Sequence, residues 1–415
     1  MSISTKWLSG MNADWEIVNP KSLFVERSTR SYPDDVHLTP SQLYGVLPQA
    51  EYMEKNGTGV VLNLAGADNM KHVEPDDFII HLRSFQGGLE HSSFRGKVSN
   101  AYCVLKSVRD VEPRFFRWVF KSGGYIQELN STTNQLRDGQ SIKFEQFVSI
   151  GLPLPAISEQ IRMANFLDSQ ISLVDQLIAH RKIQISLVWE NVSAKMFDKF
   201  LGVGEKKIRL KRLISTEKLG IWGEESGVNP VEVLVARVAD FNRNVFRLNA
   251  VETQRSIEIS QFKTRKIEKG DILLERSGGG EKSPVGCAVY VSEEFPNLVC
   301  SNFVSRVRPS YDVDSEYLSL LFAALYSNGM QRPHSSQTTG IQNLDTESYF
   351  QTEVPFRELP EQIELARYGS ELLGSAAEAV EFLDKSIIAM QNYKNSLITM
   401  VVTGSFDFSS ERGVA

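Results

Sequence analysis

The sequence predicts an α+β protein in which two globular domains are each followed by one long helix. The two helices are expected to pair as an antiparallel coiled coil with pseudo-two-fold symmetry. Three observations carry this reading. The 415-residue chain matches itself at an offset of 202 residues, which sets Pro153, Glu159, Gln160, Ile161 and Ala164 on Pro355, Glu361, Gln362, Ile363 and Ala366 without a gap. Each copy of that motif opens a long apolar stripe with steps of three and four. Each copy is also preceded by a stretch that mixes short β-rich runs with one amphipathic helix.

Residues 1–151 make the first domain. In it GVVLNLAG, DDFIIHL and NAYCVLK have the character of short buried strands, and PRFFRWVFKS reads as a helix packed by its aromatics. Residues 152–203 form a central helical spacer, with Leu167, Ile171, Val174, Ile178, Ile185, Val188 and Val192 as a heptad seam and Arg181 in one slot. The second domain, 204–353, offers VEVLVARV, GDILLE, CAVYV and FVSRVRP as strands and SEYLSLLFAALYS as its helix. In the C-terminal helical spacer, 354–415, the seam runs Gly369, Leu373, Ala376, Val380, Leu383, Ile387, Met390 and Leu397, interrupted by Lys394. A heptad repeat of this length needs a partner stripe, and the repeated domain–helix junction makes an antiparallel pair the closed solution. Pro153, Pro155, Pro355 and Pro360 restrict the chain to extended or first-turn geometry before each helix. Glu159 and Glu361 then sit at the positive end of the helix dipole. Gly202 and Gly404 are expected to stop the helices in the left-handed conformation.

Composition narrows the function. A net charge of −6 argues against a protein that coats nucleic acid by charge alone, although two nearly balanced domains can still carry local basic faces. Three isolated cysteines, Cys103, Cys287 and Cys300, suggest neither a disulfide framework nor a zinc ribbon, and the six histidines lack metal-ligand spacing. No apolar run approaches the roughly 18 residues that span a bilayer, and the N-terminus lacks a signal pattern, so a cytoplasmic protein without membrane association is expected. Catalytic motifs are missing too. The Asn-Pro pairs Asn19-Pro20 and Asn229-Pro230 lead into Lys and Val, not into the Pro-aromatic ending of an amino-methyltransferase motif. SGGGEKS resembles a phosphate loop only superficially, with Glu281 and Arg276 at positions that require glycine.

LPLPAISEQIRMANFLDSQISLVDQLIAHRK, residues 152–182, is similar to the central region of the specificity subunits of type I restriction-modification systems; Pro153, Pro155, Glu159, Gln160, Leu167, Asp168, Asp175, Leu177 and Ile178 match its pattern. YGVLPQ, DDFIIHLRSFQGGLEHSSFRGKVSNAYCVL and DGQSIKFEQFVSIGLPLP resemble one target recognition domain of that family, and EKGDILLERSGGGEKSPVGCAVYV with TTGIQNLDTESYFQTEVP resembles a second of another subtype. Asp76 departs from the usual Gly of a Gly-Asp pair. In the second helix Gly369, Ser370 and Ala377 stand where the first has Leu167, Asp168 and Asp175.

The resemblance implies a non-catalytic subunit that reads an asymmetric bipartite target in double-stranded DNA, one half per domain, with the helices as a ruler for the gap. It implies two methyltransferase subunits as partners, and restriction/translocase subunits through the complex. S-adenosylmethionine, ATP and Mg belong to those partners, with no cofactor in this chain. A coiled-coil adaptor without DNA binding, or the specificity protein of a differently organised restriction system, are the alternatives. DNA reading needs cations and amides on phosphates, and amide or guanidinium groups on base edges. Candidates in the first domain are Arg83, Gln86, His91, Ser92, Ser93, Arg95 and Lys97 around Gly87-Gly88, and Thr132, Thr133, Asn134, Gln135 and Arg137 in a later loop. Those in the second are Arg276, Ser277, Lys282 and Ser283 around three glycines, with Gln337, Thr338, Thr339, Gln342 and Asn343.

Overall fold

A computed structural model describes residues 3–57, 69–80, 89–132, 142–202, 206–280, 283–338 and 340–408. The chain divides into two compact units, Met1–Ala179 with Ile387–Ala415, and His180–Ser386. Both divisions fall inside the long helices and not at the domain–helix junctions read from the sequence.

In the first unit a four-stranded antiparallel sheet has the order Phe24–Glu26, Cys103–Ser107, Phe78–Ile80, Leu89–His91. The helix Pro113–Lys121 starts where the Glu112 side chain accepts from the Arg114 N–H, with Pro113 in its first turn. Its Phe115, Phe116, Val119 and Phe120 are buried against the sheet. Phe24, Phe78, Phe116 and Phe120 meet largely edge-to-face, the Phe78–Phe120 centroids 5.0 Å apart, a geometry that adds to burial. GVVLNLAG lies outside the described residues. In the second unit a six-stranded sheet runs Ile214–Leu219, Val304–Pro309, Ile272–Glu275, Ala288–Tyr290, Arg247–Leu248, Phe241–Asn242, and the helix Ser315–Ser327 packs on it.

Each unit closes by the same device. A short N-terminal strand pairs with the strand that leads into a long helix: Ile17 opposite Pro153, and Ile208 opposite Val354. The repeated glutamine then locks the junction. Gln160 accepts from the Glu112 N–H at 3.0 Å and donates to the Pro155 carbonyl at 2.8 Å. Gln362 accepts from the Asp314 N–H and donates to the Arg357 carbonyl, both at 2.9 Å. All four partners are also related by the 202-residue offset, so the Glu-Gln motif recurs because it ties each domain's helix to the start of the following long one.

The long helices, Ile157–Met196 and Leu359–Val402, contact each other. In the first unit Leu167 and Ile171 share a core with Leu397, Ile398, Val401 and Val402. In the second, Val192 and Met196 share one with Ala366, Leu373 and Ala376. Within the first unit Asp175 meets Lys394 while Leu167 lies in the core with Val401 and Val402, so one helix rises in number as the other falls and the pairing there is antiparallel. Val174, Ile178, Leu383 and Ile387 are buried, and Ile185, Val188, Val380 and Met390 are half-buried. Lys394, the polar slot, donates to both oxygens of Asp175 at 2.7 and 2.8 Å. Arg181 bonds Gln184 on its own helix.

Asp168 accepts from Arg117, from Arg114 at 3.4 Å and from the Trp118 indole at 2.8 Å. Its counterpart Ser370 donates to Glu316 at 2.7 Å, and Arg247 bonds both. Gly404 has φ +71 as expected of a left-handed stop, but Gly202 has φ −62 and is not left-handed. The first helix ends in a wider turn, Phe197–Leu201, and a Cβ on Gly202 would lie 2.1 Å from the Asp198 carbonyl oxygen. Glycine serves there for closeness and not for handedness.

Candidate nucleic-acid interface

In the first unit Arg83, Gln86, Thr133, Asn134 and Arg137 lie outside the described residues. Ser92 does not fit its expected role. It is fully buried, its hydroxyl donates to the Phe94 carbonyl at 2.8 Å, and its own carbonyl accepts from the Asp76 N–H, so it builds the turn instead of facing a ligand. Ser93 is exposed on the wall of a cleft of about 1220 Å³, together with Tyr44, His91, Arg117, Lys121, Gln176 and Lys394. Arg95 is half-exposed, stands over the Tyr32 ring at 5.6 Å and pairs with Asp34 at 3.2 Å, so part of its charge is neutralised. Lys97 is half-buried on the strand Gly96–Val98.

His91 bonds Asp76 at 2.9 Å; burial pushes its pKa down, and Asp76 opposes that shift. Two features of this cleft were missed in sequence. The hairpin Leu38–Ser41 with Gly45–Pro48 projects Leu43 and Tyr44 into solvent, and Gly45 at φ +71 makes its turn. Arg117 and Lys121 reach the same cleft from a helix read only for its aromatic face.

The second unit brings its two candidate loops together. Ser277–Gly278, Ile341–Leu344 and Ser335–Thr338 form one three-stranded antiparallel sheet. Across it Ser277, Asn343 and Ser336 make one row and Gly278, Gln342 and Gln337 the next, so successive rows face opposite sides. Ser277 donates to Asn343 Oδ1 at 2.7 Å, and Gln342 Oε1 accepts from the Val285 N–H at 3.0 Å. Arg276 lies 3.7 Å from Glu217. Ser283 and Gly280 exchange backbone hydrogen bonds that close the glycine turn. Lys282 and Thr339 lie outside the described residues, and Thr338 is described only as a strand position. Beneath the glycines, Glu275 is buried and pairs with Arg243 at 2.8 Å; burial raises its pKa against the pull of the guanidinium.

Among the described residues no group of three or more His, Cys, Asp or Glu is placed to hold a metal ion, and no helix is long and apolar enough to cross a membrane. The three thiols are buried, with pKa values pushed up to about 12 by desolvation, which makes them unreactive packing groups.

No family model matches the chain. It is 21% identical over 355 residues to the type I restriction enzyme EcoKI specificity subunit of Escherichia coli strain K12, covering 80% of this chain and 75% of that protein. It is 20% identical over 350 residues to the StySPI specificity subunit of Salmonella potsdam, with the same coverage, 80% and 75%. Among solved structures, a chain from a study of complex assembly and conformational transition of the type I R-M system superposes with a TM-score of 0.71 at 13% identity, over 95% of this chain and 99% of that one. The HsdS subunit from Thermoanaerobacter tengcongensis gives 0.50 at 12% identity, over 95% and 98%. Homology and fold together support a type I specificity-subunit family member. The contact between the two long helices agrees with that fold.

Proposed function

We propose that this chain is the non-catalytic specificity subunit of a type I restriction-modification complex. It reads an asymmetric bipartite sequence in double-stranded DNA, each domain taking one half, and carries two methyltransferase subunits and, through them, restriction/translocase subunits. The observation that carries this reading is the duplicated junction, Gln160 and Gln362 in identical bonding, which joins two unlike domains to one helical pair. Unlike domains on equivalent mounts suit two unlike half-sites. In this reading Ser93, Arg95, Lys97 and the cleft cations Arg117 and Lys121 serve the first half-site. Arg276, Ser277, Ser283, Gln337, Gln342 and Asn343 serve the second. Arg83, Gln86, Thr133, Asn134, Arg137, Lys282, Thr338 and Thr339 remain candidates on their sequence alone. S-adenosylmethionine, ATP and Mg are assigned to the partner subunits.

Sequencing that detects methylated adenine in host DNA, with and without this chain, tests the proposal. A split motif that vanishes with the gene supports it. An unchanged methylome, with no salt-dependent DNA binding when the methyltransferase partner is present, favours the adaptor reading.

A further inference from the structure

Resting on that DNA-reading assignment, we propose that Gln342 reads a guanine through its amide N–H groups and disfavours adenine. A glutamine amide can face either way, and its hydrogen-bond partners decide which end is oxygen. Here the partner is the backbone N–H of Val285, 3.0 Å away. A backbone N–H only donates, so the atom it meets is Oε1, and the end of the amide with two hydrogens is left free. Gln342 makes no other side-chain hydrogen bond among the described residues.

The lock is built and not incidental. Gly279, at φ +68, leaves room for it: a Cβ there would lie 2.6 Å from the Val285 nitrogen and 2.9 Å from Oε1. The flanking positions leave room for a ligand. Gly278 sits opposite Gln342 on one neighbouring strand, with no side chain to wall off the amide, and exposed Gln337 sits opposite on the other.

Base chemistry then discriminates. In the major groove adenine offers an acceptor at N7 and a donor at N6, so a glutamine that reads it must accept through Oε1 while donating from Nε2. With one lone pair of Oε1 taken by the Val285 N–H, that pairing is weakened. Guanine offers N7 and O6, two acceptors, and meets the free amide hydrogens.

The test uses the full chain in complex with its methyltransferase partner and duplexes carrying the mapped target. Each guanine in the half-site read by residues 204–353 is replaced in turn by 7-deazaguanine, which lacks the N7 acceptor. One replacement is expected to weaken binding by the unaltered protein about tenfold. In cells carrying Gln342→Met, which keeps the side-chain length, the same position should become degenerate in the methylation map while the other half-site stays fixed. The proposal is overturned if no guanine of that half-site responds, if the base pair that relaxes is an A·T pair or is not the one the 7-deazaguanine replacement weakens, or if Gln342→Met weakens all sequences alike, as loss of a phosphate contact does. Because the 7-deazaguanine arm alters only the DNA, misfolding of the variant leaves it decisive. If the unaltered complex methylates no split sequence, the DNA-reading assignment itself fails and this proposal falls with it.

Discussion

Asp76 occupies φ +70, and Gly270, which stands in the same place before Asp271 of EKGDILL as Asp76 does before Asp77 of EPDDFII, has φ +95. Outside glycine this region is strained, although aspartate tolerates it better than most residues. The adjoining carboxylate shows why the turn is kept. Asp77 accepts from Arg27 at 2.6 and 2.8 Å and from the Glu74 N–H at 2.8 Å, as Asp271 does from Arg308 at 2.7 and 2.8 Å and from the Glu268 N–H at 2.8 Å. Asp76→Ala keeps the strain and removes the His91 contact, so it should cost about 1 kcal/mol, whereas Asp76→Gly should stay within about 0.5 kcal/mol of the parent. Urea midpoints of the two variants check this. The glutamines carry a larger cost. Each of Gln160→Ala and Gln362→Ala orphans a backbone N–H and a carbonyl beside a buried side chain, and each should lose about 2 kcal/mol in the same measurement. The sequence repeat marked both glutamines as junction residues, but not the backbone N–H groups they accept from, which lie 48 residues away in each copy. Ser92 and Gln342 were read alike, as polar loop residues; one is buried and the other is oriented by an N–H 57 residues distant, and neither fact has a local signal.

At the scale of elements, the seam was legible because heptad periodicity is local and each helix buries only one stripe. Its polar slot was legible as a position but not as a bond. Lys394 is half-buried and Asp175 largely exposed, so their ion pair is screened by water. Lys394→Met should therefore change stability by no more than about 1 kcal/mol, and it should leave helical content by circular dichroism unchanged. A loss well beyond that would mean the pair fixes the register of the helices. The end of the first helix was misread because a glycine after a long helix suggests a left-handed stop. The crowding at the Asp198 carbonyl that requires Gly202 depends on the turn formed before it.

For the molecule as a whole, the duplication and the order of domain and helix could be read from the 202-residue offset, while the division into compact units within the helices could not. A spacing role for the helices leads to a further expectation. Inserting about four residues, one turn of roughly 6 Å, into a coil helix should widen the gap in the DNA target by about two base pairs and leave both half-sites unchanged. Methylation mapping of the insertion variant gives the answer, and a changed half-site would count against independent domains.

Asp168 and Ser370 occupy one position of the repeat, and so do Arg114 and Glu316, yet the contact is ionic with arginine on the domain side in one copy and runs through a glutamate in the other. An exchange of the two domains between their places would therefore obey a grammar of position. A domain carrying Glu316 moved into the first slot would set Asp168 as a second carboxylate beside it, with Arg247 left to serve both, and one carrying Arg114 and Arg117 in the second slot would find only a hydroxyl. Slot-exchanged chains should be less stable than the parent, with a lower Tm. The deficit should shrink when Asp168→Ser and Ser370→Asp accompany the exchange, because the residue at the mount then travels with its domain.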